Sequence, residues 1–190
     1  MITLVPLDTI DPTMVDALLD RAFGPDRFHR TAYTIRGQGK PLAALSFAAI
    51  ETDSVEGAVE GSAAEESAAE GGIIVGSIQC WPIALNNDAG TTPLVMLGPV
   101  AVAPSHQGDG IGRRLMARAL DAAATERLDG ALMLIGDPDY YGRFFGFSAA
   151  RTAQWNAPGP VERHRLLARG DAVPDEAGML GPRLSVVASA

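Results

Sequence analysis

The run Gln107-Gly108-Asp109-Gly110-Ile111-Gly112 decides how the rest of this chain is read. It separates an apolar segment of strand length, Pro93–Ala103 (PLVMLGPVAVA), from a helical one, Arg113–Arg127. Around that helix Ile111, Leu115, Met116, Ala119, Leu120, Ala123 and Leu128 keep the helical period. Three glycines in five residues let the backbone turn tightly, so that successive N–H groups face one point at the helix start. Such a turn binds phosphate without a cation. A Walker A loop would close on Gly-Lys-Ser/Thr, but Gly112 is followed by Arg113-Arg114. A dinucleotide fingerprint would need Gly or Ala at position 113, and this turn comes late in the chain. What remains is Gln/Arg-x-x-Gly-x-Gly/Ala, matched by Gln107, Gly110 and Gly112.

Upstream, Thr3–Leu7 reads as a first strand, and Asp11-Pro12 opens a helix with Met14, Val15, Leu18, Leu19 and Ala22 on one stripe. Gly24-Pro25 stops it, and Asp26–Ile35 reads as a second, shorter helix. Pro41–Ile50 and Ile73–Leu85 are strands that make a hairpin around a long connection. Gly98-Pro99 inside the next strand removes a ladder donor and predicts a bulge or local splay. Downstream, Ala131–Ile135 is a buried strand, and Asp137-Pro138 opens a short helix. Gly146 is placed to close that helix in the left-handed conformation, with Phe147 packing back. Strands are expected at Ser148–Trp155 and Leu184–Ala188, with a loop-rich stretch between them. No repeat or linker divides the chain, which reads as one α/β domain.

The formal charge of -8 is unevenly spread. Seven acids and no Lys or Arg fall between Glu51 and Gly72, which leaves sixteen acids against fifteen bases elsewhere. That tract lacks aromatics and is interrupted by glycine, the composition of a solvated disordered insertion. It also suggests a role in drawing cationic amines toward a cleft. Nucleic acid is excluded as a partner by the lack of a basic patch or reader motif, rather than by the charge. Ala89–Gly108 has no charged residue, but Pro93, Pro99 and Pro104 break it, so no membrane span is read. Cys80 is the only cysteine, and His29, His106 and His164 lie far apart. A cytoplasmic protein without a metal is expected. Cys80 reads as a small buried hydrophobe, and His106 as exposed and inert.

Taken with its surroundings, the loop resembles that of the GNAT superfamily of N-acetyltransferases. Leu97-Gly-Pro-Val-Ala-Val-Ala-Pro104 is similar to the family's fourth strand, Arg113–Leu128 to its third helix, and Tyr140-Tyr141-Gly-Arg-Phe-Phe-Gly-Phe147 to its aromatic helix. The resemblance covers most of the chain and looks most like an uncharacterised bacterial branch. It implies a mixed, mostly antiparallel central sheet flanked by helices and splayed at the strands that bind coenzyme A. It implies one domain over residues 1–190, with the acidic insertion at 51–72. The cosubstrate it implies is acetyl-CoA, and no metal is expected. Its pyrophosphate is expected on Gln107, Gly108, Asp109, Gly110, Ile111 and Gly112, with Arg113 nearby, and its pantetheine arm along Val100, Ala101 and Val102.

By the same resemblance, the N–H of Val100 stabilises the tetrahedral oxyanion, and Tyr141 protonates the departing thiolate. Tyr140 is the second choice. Phe144-Phe145 adds one residue to the usual spacing, and counting back from Gly146 would put Gly142 in the acid's place. No Asp or Glu lies between Asp88 and Asp109. The core strand thus offers no general base, and water-relayed deprotonation or binding of the small neutral-amine fraction would serve; Glu51 is a further candidate, because its strand approaches the acceptor side in the family. The activity implied is direct transfer of acetyl to a primary amine, on a small molecule or a peptide. The alternative is a degenerate acetyl-CoA-binding module with a regulatory role. Homodimers are common in the family, but no residue here specifies one or names the acceptor.

Overall fold

The computed structural model describes residues 1–52 and 72–183. Strands β1 (Ile2–Pro6), β2 (Phe47–Glu51), β3 (Ile73–Asn87), β4 (Gly90–Val102), β5 (Leu132–Ile135) and β7 (Leu166–Arg169) lie side by side in that order. All neighbours are antiparallel except β4 and β5. Two shorter strands, β6 (Trp155–Asn156) and β8 (Gly178–Pro182), extend the sheet through β8 against β3. The helices are α1 (Pro12–Phe23), α2 (Thr31–Arg36), α3 (Ile111–Thr125) and α4 (Pro138–Phe145). This is a mixed, open, mostly antiparallel sheet with helices on both faces, as expected.

Side chains alternate across the strands and divide the core in two. One face carries Ile74, Ile78, Val95, Leu97, Ala101 and Leu134 under α1 and α3. The other carries Trp81, Ile83, Leu94, Met96 and Met133 with Ile35 of α2 and Trp155. Helix α3 packs closest where β3 has no side chain. A Cβ on Gly76 would stand 2.7 Å from Ile111 Cγ2 and 3.1 Å from Leu115 Cδ1. That approach brings the start of α3, and the glycine loop before it, down onto the sheet.

Most expected elements form, and the hairpin around the acidic tract is β2–β3, with Glu51 opposite Ile73. The tract itself (53–71) and the expected strand at 184–188 lie outside the described residues. Four expectations change. The single helix over 26–35 is a 3-10 turn, Pro25–His29, and α2, parted by an extended Arg30. The break lets Arg27 fold back onto α1, where it pairs with Asp16 at 2.8 Å and Asp20 at 2.7 Å. The strand over 41–50 starts only at Phe47. Before it Ala43–Leu45 forms a 3-10 turn in which Ser46 Oγ donates to the Leu42 carbonyl and accepts from the Cys80 N–H. Ser148–Trp155 does not form one strand, and only Trp155 at its end enters β6. Ser148 makes one bridge to Ala168, and the chain then turns, with the Thr152 hydroxyl donating to the Leu166 carbonyl at 2.6 Å. The stretch beyond it, read as loop, supplies β7 and β8. Among the described residues no helix is long and apolar enough to cross a membrane.

Gly76→Val forces extra carbons into a filled interface and is expected to lower the unfolding free energy by about 1–3 kcal/mol. Gly112→Ala, whose added carbon meets only ordinary contacts with Val102 and Val100, is expected to stay within about 1 kcal/mol of the parent. Urea unfolding of the two variants checks the difference, and equal losses contradict it.

Candidate active site

Strand β4 pairs with β5 only at Val95–Leu132 and Met96–Met133. Beyond Met96 the two strands part, at the Gly98-Pro99 step, where the β3–β4 register also shifts and Gln79 alone stands opposite two residues of β4. The proline at 99 has no N–H to carry the ladder on. The other edge of β4 stays paired: the Ala103 N–H donates to the Val75 carbonyl, and the register continues through Ser77–Ala101 and Ile78–Val100. In an antiparallel ladder every second pair turns its peptide groups away from the partner strand. Ala103 faces β3, so Ala101 does as well, and Val100 and Val102 turn their N–H and C=O groups outward into the gap. Two outward peptide groups on an opened strand edge are the first half of the site.

The gap is the floor of a cavity of about 840 Å³. Leu97–Val100 of β4, Leu134 and Ile135 of β5, and Tyr141 line one part; α2 and the Pro160–Arg165 segment line the rest. Tyr141 reaches it because α4 is held at both ends. Asp137 accepts from the N–H groups of Asp139 and Tyr140, while Gly146, left-handed at φ 71, sends its N–H back to the Gly142 carbonyl. Gly142 lies against the Phe147 carbonyl, away from the cavity wall. Burial, with lesser help from neighbouring Tyr140, pushes the Tyr141 phenol above its ordinary value, so it stays protonated. Gly136 makes room for the ring: a Cβ there would collide with Tyr141 and come within 2.9 Å of Leu134.

A smaller recess of about 330 Å³ adjoins Val102. It is lined by Gln107, Gly108, Gly110, Ile111, Gly112 and Arg113, with Tyr140 and His106. Gly108 (φ 100) and Gly110 (φ 78) take backbone angles that side chains resist, which turns the chain into α3. The Gln107 and Asp109 N–H groups are used inside the turn, donating to Pro104 and His106 carbonyls at 3.5 and 3.4 Å. The N–H groups of Gly108, Gly110, Ile111, Gly112 and Arg113 have no partner among the described residues. They open a helix N-terminus of the kind that holds anions.

The structure therefore gathers most of the expected residues and separates a few. Ala101 turns to β3 and into the core, and Asp109 is exposed on the outer side of the turn, so neither lines a recess. Tyr140 and Tyr141 part company, one in each recess. Glu51 is corrected: its carboxylate sits 3.2 Å from His106 Nε2, beside the loop and outside the larger cavity. His106, expected to be inert, holds that carboxylate and meets Ser105 through Nδ1. Cys80 is buried, and burial pushes its thiol up to about 12, which leaves it unreactive. Sequence reading missed Gly136, Arg36 and Glu162 as site residues; Arg36 gains its place through distant Gln79 and Trp81, while Gly136 gains its place from Tyr141 five residues on.

Residues 26–147 match the acetyltransferase (GNAT) family, and the chain belongs to that family. The fold agrees with two solved members. One is a GNAT family N-acetyltransferase (YhbS) from Escherichia coli in complex with CoA, at TM-score 0.64 and 23% identity over 96% of this chain and 89% of that one. The other is a GNAT family acetyltransferase from Brucella melitensis in complex with acetyl-CoA, at TM-score 0.53 and 21% identity over 90% of this chain and 97% of that one. No curated protein matches the sequence.

Gly136→Ala is expected to displace the Tyr141 ring while leaving the fold intact. Ring-proton NMR signals of Tyr141 should move, and those of Tyr33 on the opposite wall should hold. Unmoved Tyr141 signals contradict the packing described.

Proposed function

We propose that this protein transfers an acetyl group from acetyl-CoA to a primary amine within a ternary complex. One observation carries the reading: the outward peptide groups of Val100 and Val102 lie on an opened strand edge that joins a phosphate-sized amide cradle to a cavity containing a protonated tyrosine. The pyrophosphate rests on the free N–H groups of Gly108, Gly110, Ile111, Gly112 and Arg113. The pantetheine arm pairs with Val100 and Val102 as an added strand would. The thioester then reaches the cavity beside Tyr141.

The amine nitrogen attacks the thioester carbon, and the Val100 N–H donates to the developing oxyanion. When the C–S bond breaks, the Tyr141 hydroxyl gives its proton to the sulfur, and the proton lost by the amine restores the phenol. The buried Cys80 leaves no thiol for a covalent acyl-enzyme, which favours direct transfer. Glu162 is a carboxylate on the cavity wall and is better situated than Glu51 to draw a proton from the amine through water. In this reading the whole chain is one cytoplasmic domain with residues 51–72 inserted in the β2–β3 hairpin. The acceptor is a small molecule or peptide, not a nucleic acid.

Tyr141→Phe is expected to lower kcat by about a hundredfold or more, with KM for acetyl-CoA changed little. Tyr140→Phe should leave kcat near the parent value. Thiol release from acetyl-CoA measures both. Equal rates for the parent and Tyr141→Phe would remove Tyr141 as the acid.

A further inference from the structure

The wall of the larger cavity facing β4 is cationic. Arg30, Arg36 and Arg165 line it, against the single carboxylate of Glu162. Glu162 lies 3.9 Å from Arg165 and 3.8 Å from His164, so its charge is already shared. Arg36 differs from the other two, which are exposed. Its guanidinium is half-buried between two rings, 3.8 Å from the Tyr33 centroid and 4.0 Å from Trp81. Its one side-chain hydrogen bond goes from Nη1 to Gln79 Oε1 at 3.2 Å, and no carboxylate meets it among the described residues. Stacking on both faces leaves only its N–H edge for a ligand, the edge that matches the two oxygens of a carboxylate.

The slot is rigid for a traceable reason. Arg27, only 2% exposed, is neutralised by Asp16 and Asp20 and donates to the Tyr33 hydroxyl at 2.8 Å, which fixes one ring of the slot. Gln79, which holds the N–H edge, is the single β3 residue that stands opposite the two-residue Gly98-Pro99 step. The guanidinium thus sits on the same cavity as Val100 and Tyr141, while the phosphate cradle is the separate, smaller recess. A half-buried cation without a partner is costly and is relieved by an incoming anion.

Resting on the transfer reading above, we propose that the acceptor is a small amine that also carries a carboxylate, and that Arg36 binds that carboxylate. Arg36 is a specificity residue and takes no part in the proton transfers.

The test pairs glycine and β-alanine with their primary amides and adds putrescine. Two readouts are taken: calorimetric binding to the CoA complex, and thiol release with acetyl-CoA. Amino carboxylates are expected to exceed their amides by about ten- to a hundredfold in kcat/KM. Arg36→Gln should abolish that preference through KM for the amine, with KM for acetyl-CoA unchanged, and Arg36→Lys should restore part of it. Carboxylate-dependent binding without thiol release would support the Arg36 site and overturn the transfer reading. Thiol release with amides or putrescine equal to the acids, or an Arg36→Gln effect on acetyl-CoA alone, would overturn the Arg36 proposal and leave transfer standing. Neither binding nor release would overturn both.

Discussion

The site depends on an unfinished ladder. A strand carries one donor and one acceptor per residue, and each needs a partner when taken from water. Strand β4 meets this need on its β3 side along nearly its whole length but on its β5 side only at Val95 and Met96. Pro99, lacking an N–H, stands where the ladder stops. The parting leaves Val100 and Val102 with outward peptide groups and leaves a cavity beneath α4 and α2. A continuous β4–β5 ladder would close both. The loop before α3, the tyrosine of α4 and the arginine slot of α2 take their meaning from this gap.

The elements around the gap hold it open in different ways. Gly76 lets α3 sit close enough to deliver the glycine turn beside Val102. Gly136 clears the place of the Tyr141 ring at the end of β5. Buried Arg27 ties the segment before α2 to α1. Burial alone would weaken its charge, but Asp20, Tyr33 and Asp16 hold it above the ordinary guanidinium value. Arg36 has no such carboxylates, and burial pulls it down. Two arginines nine residues apart thus do opposite work, one closed within the protein and one facing the cavity.

What could be read in the sequence was what is decided locally. The glycine turn, the period of α3, the Asp137 cap and the Gly146 stop are set by neighbours within a few residues, and all form as expected. The Gly98-Pro99 irregularity was legible too, because proline removes a donor wherever it stands. Long-range choices were not. Ser148–Trp155 has an acceptable strand composition, but only its two ends pair, Ser148 with Ala168 and Trp155 with Gly178, while Leu166–Arg169 is chosen by β5. Nothing near Arg27 or Arg36 in sequence tells which will find carboxylates. The strand of Glu51 does not tell that its carboxylate will meet His106, which comes from another loop. Ala101 shares the composition of Val100 and Val102, but alternation turns it the other way.

The central claim is that the opened edge of β4 receives the cosubstrate as a strand receives a neighbour. Residue-resolved amide hydrogen exchange, with and without saturating acetyl-CoA, measures this directly. The account predicts that the Val100 and Val102 amides exchange freely alone and slow by about tenfold or more when acetyl-CoA is bound. The Ala101 amide, already bonded to β3, should be protected in both states. Unchanged exchange at Val100 and Val102, in a protein that calorimetry shows to be saturated, would contradict it.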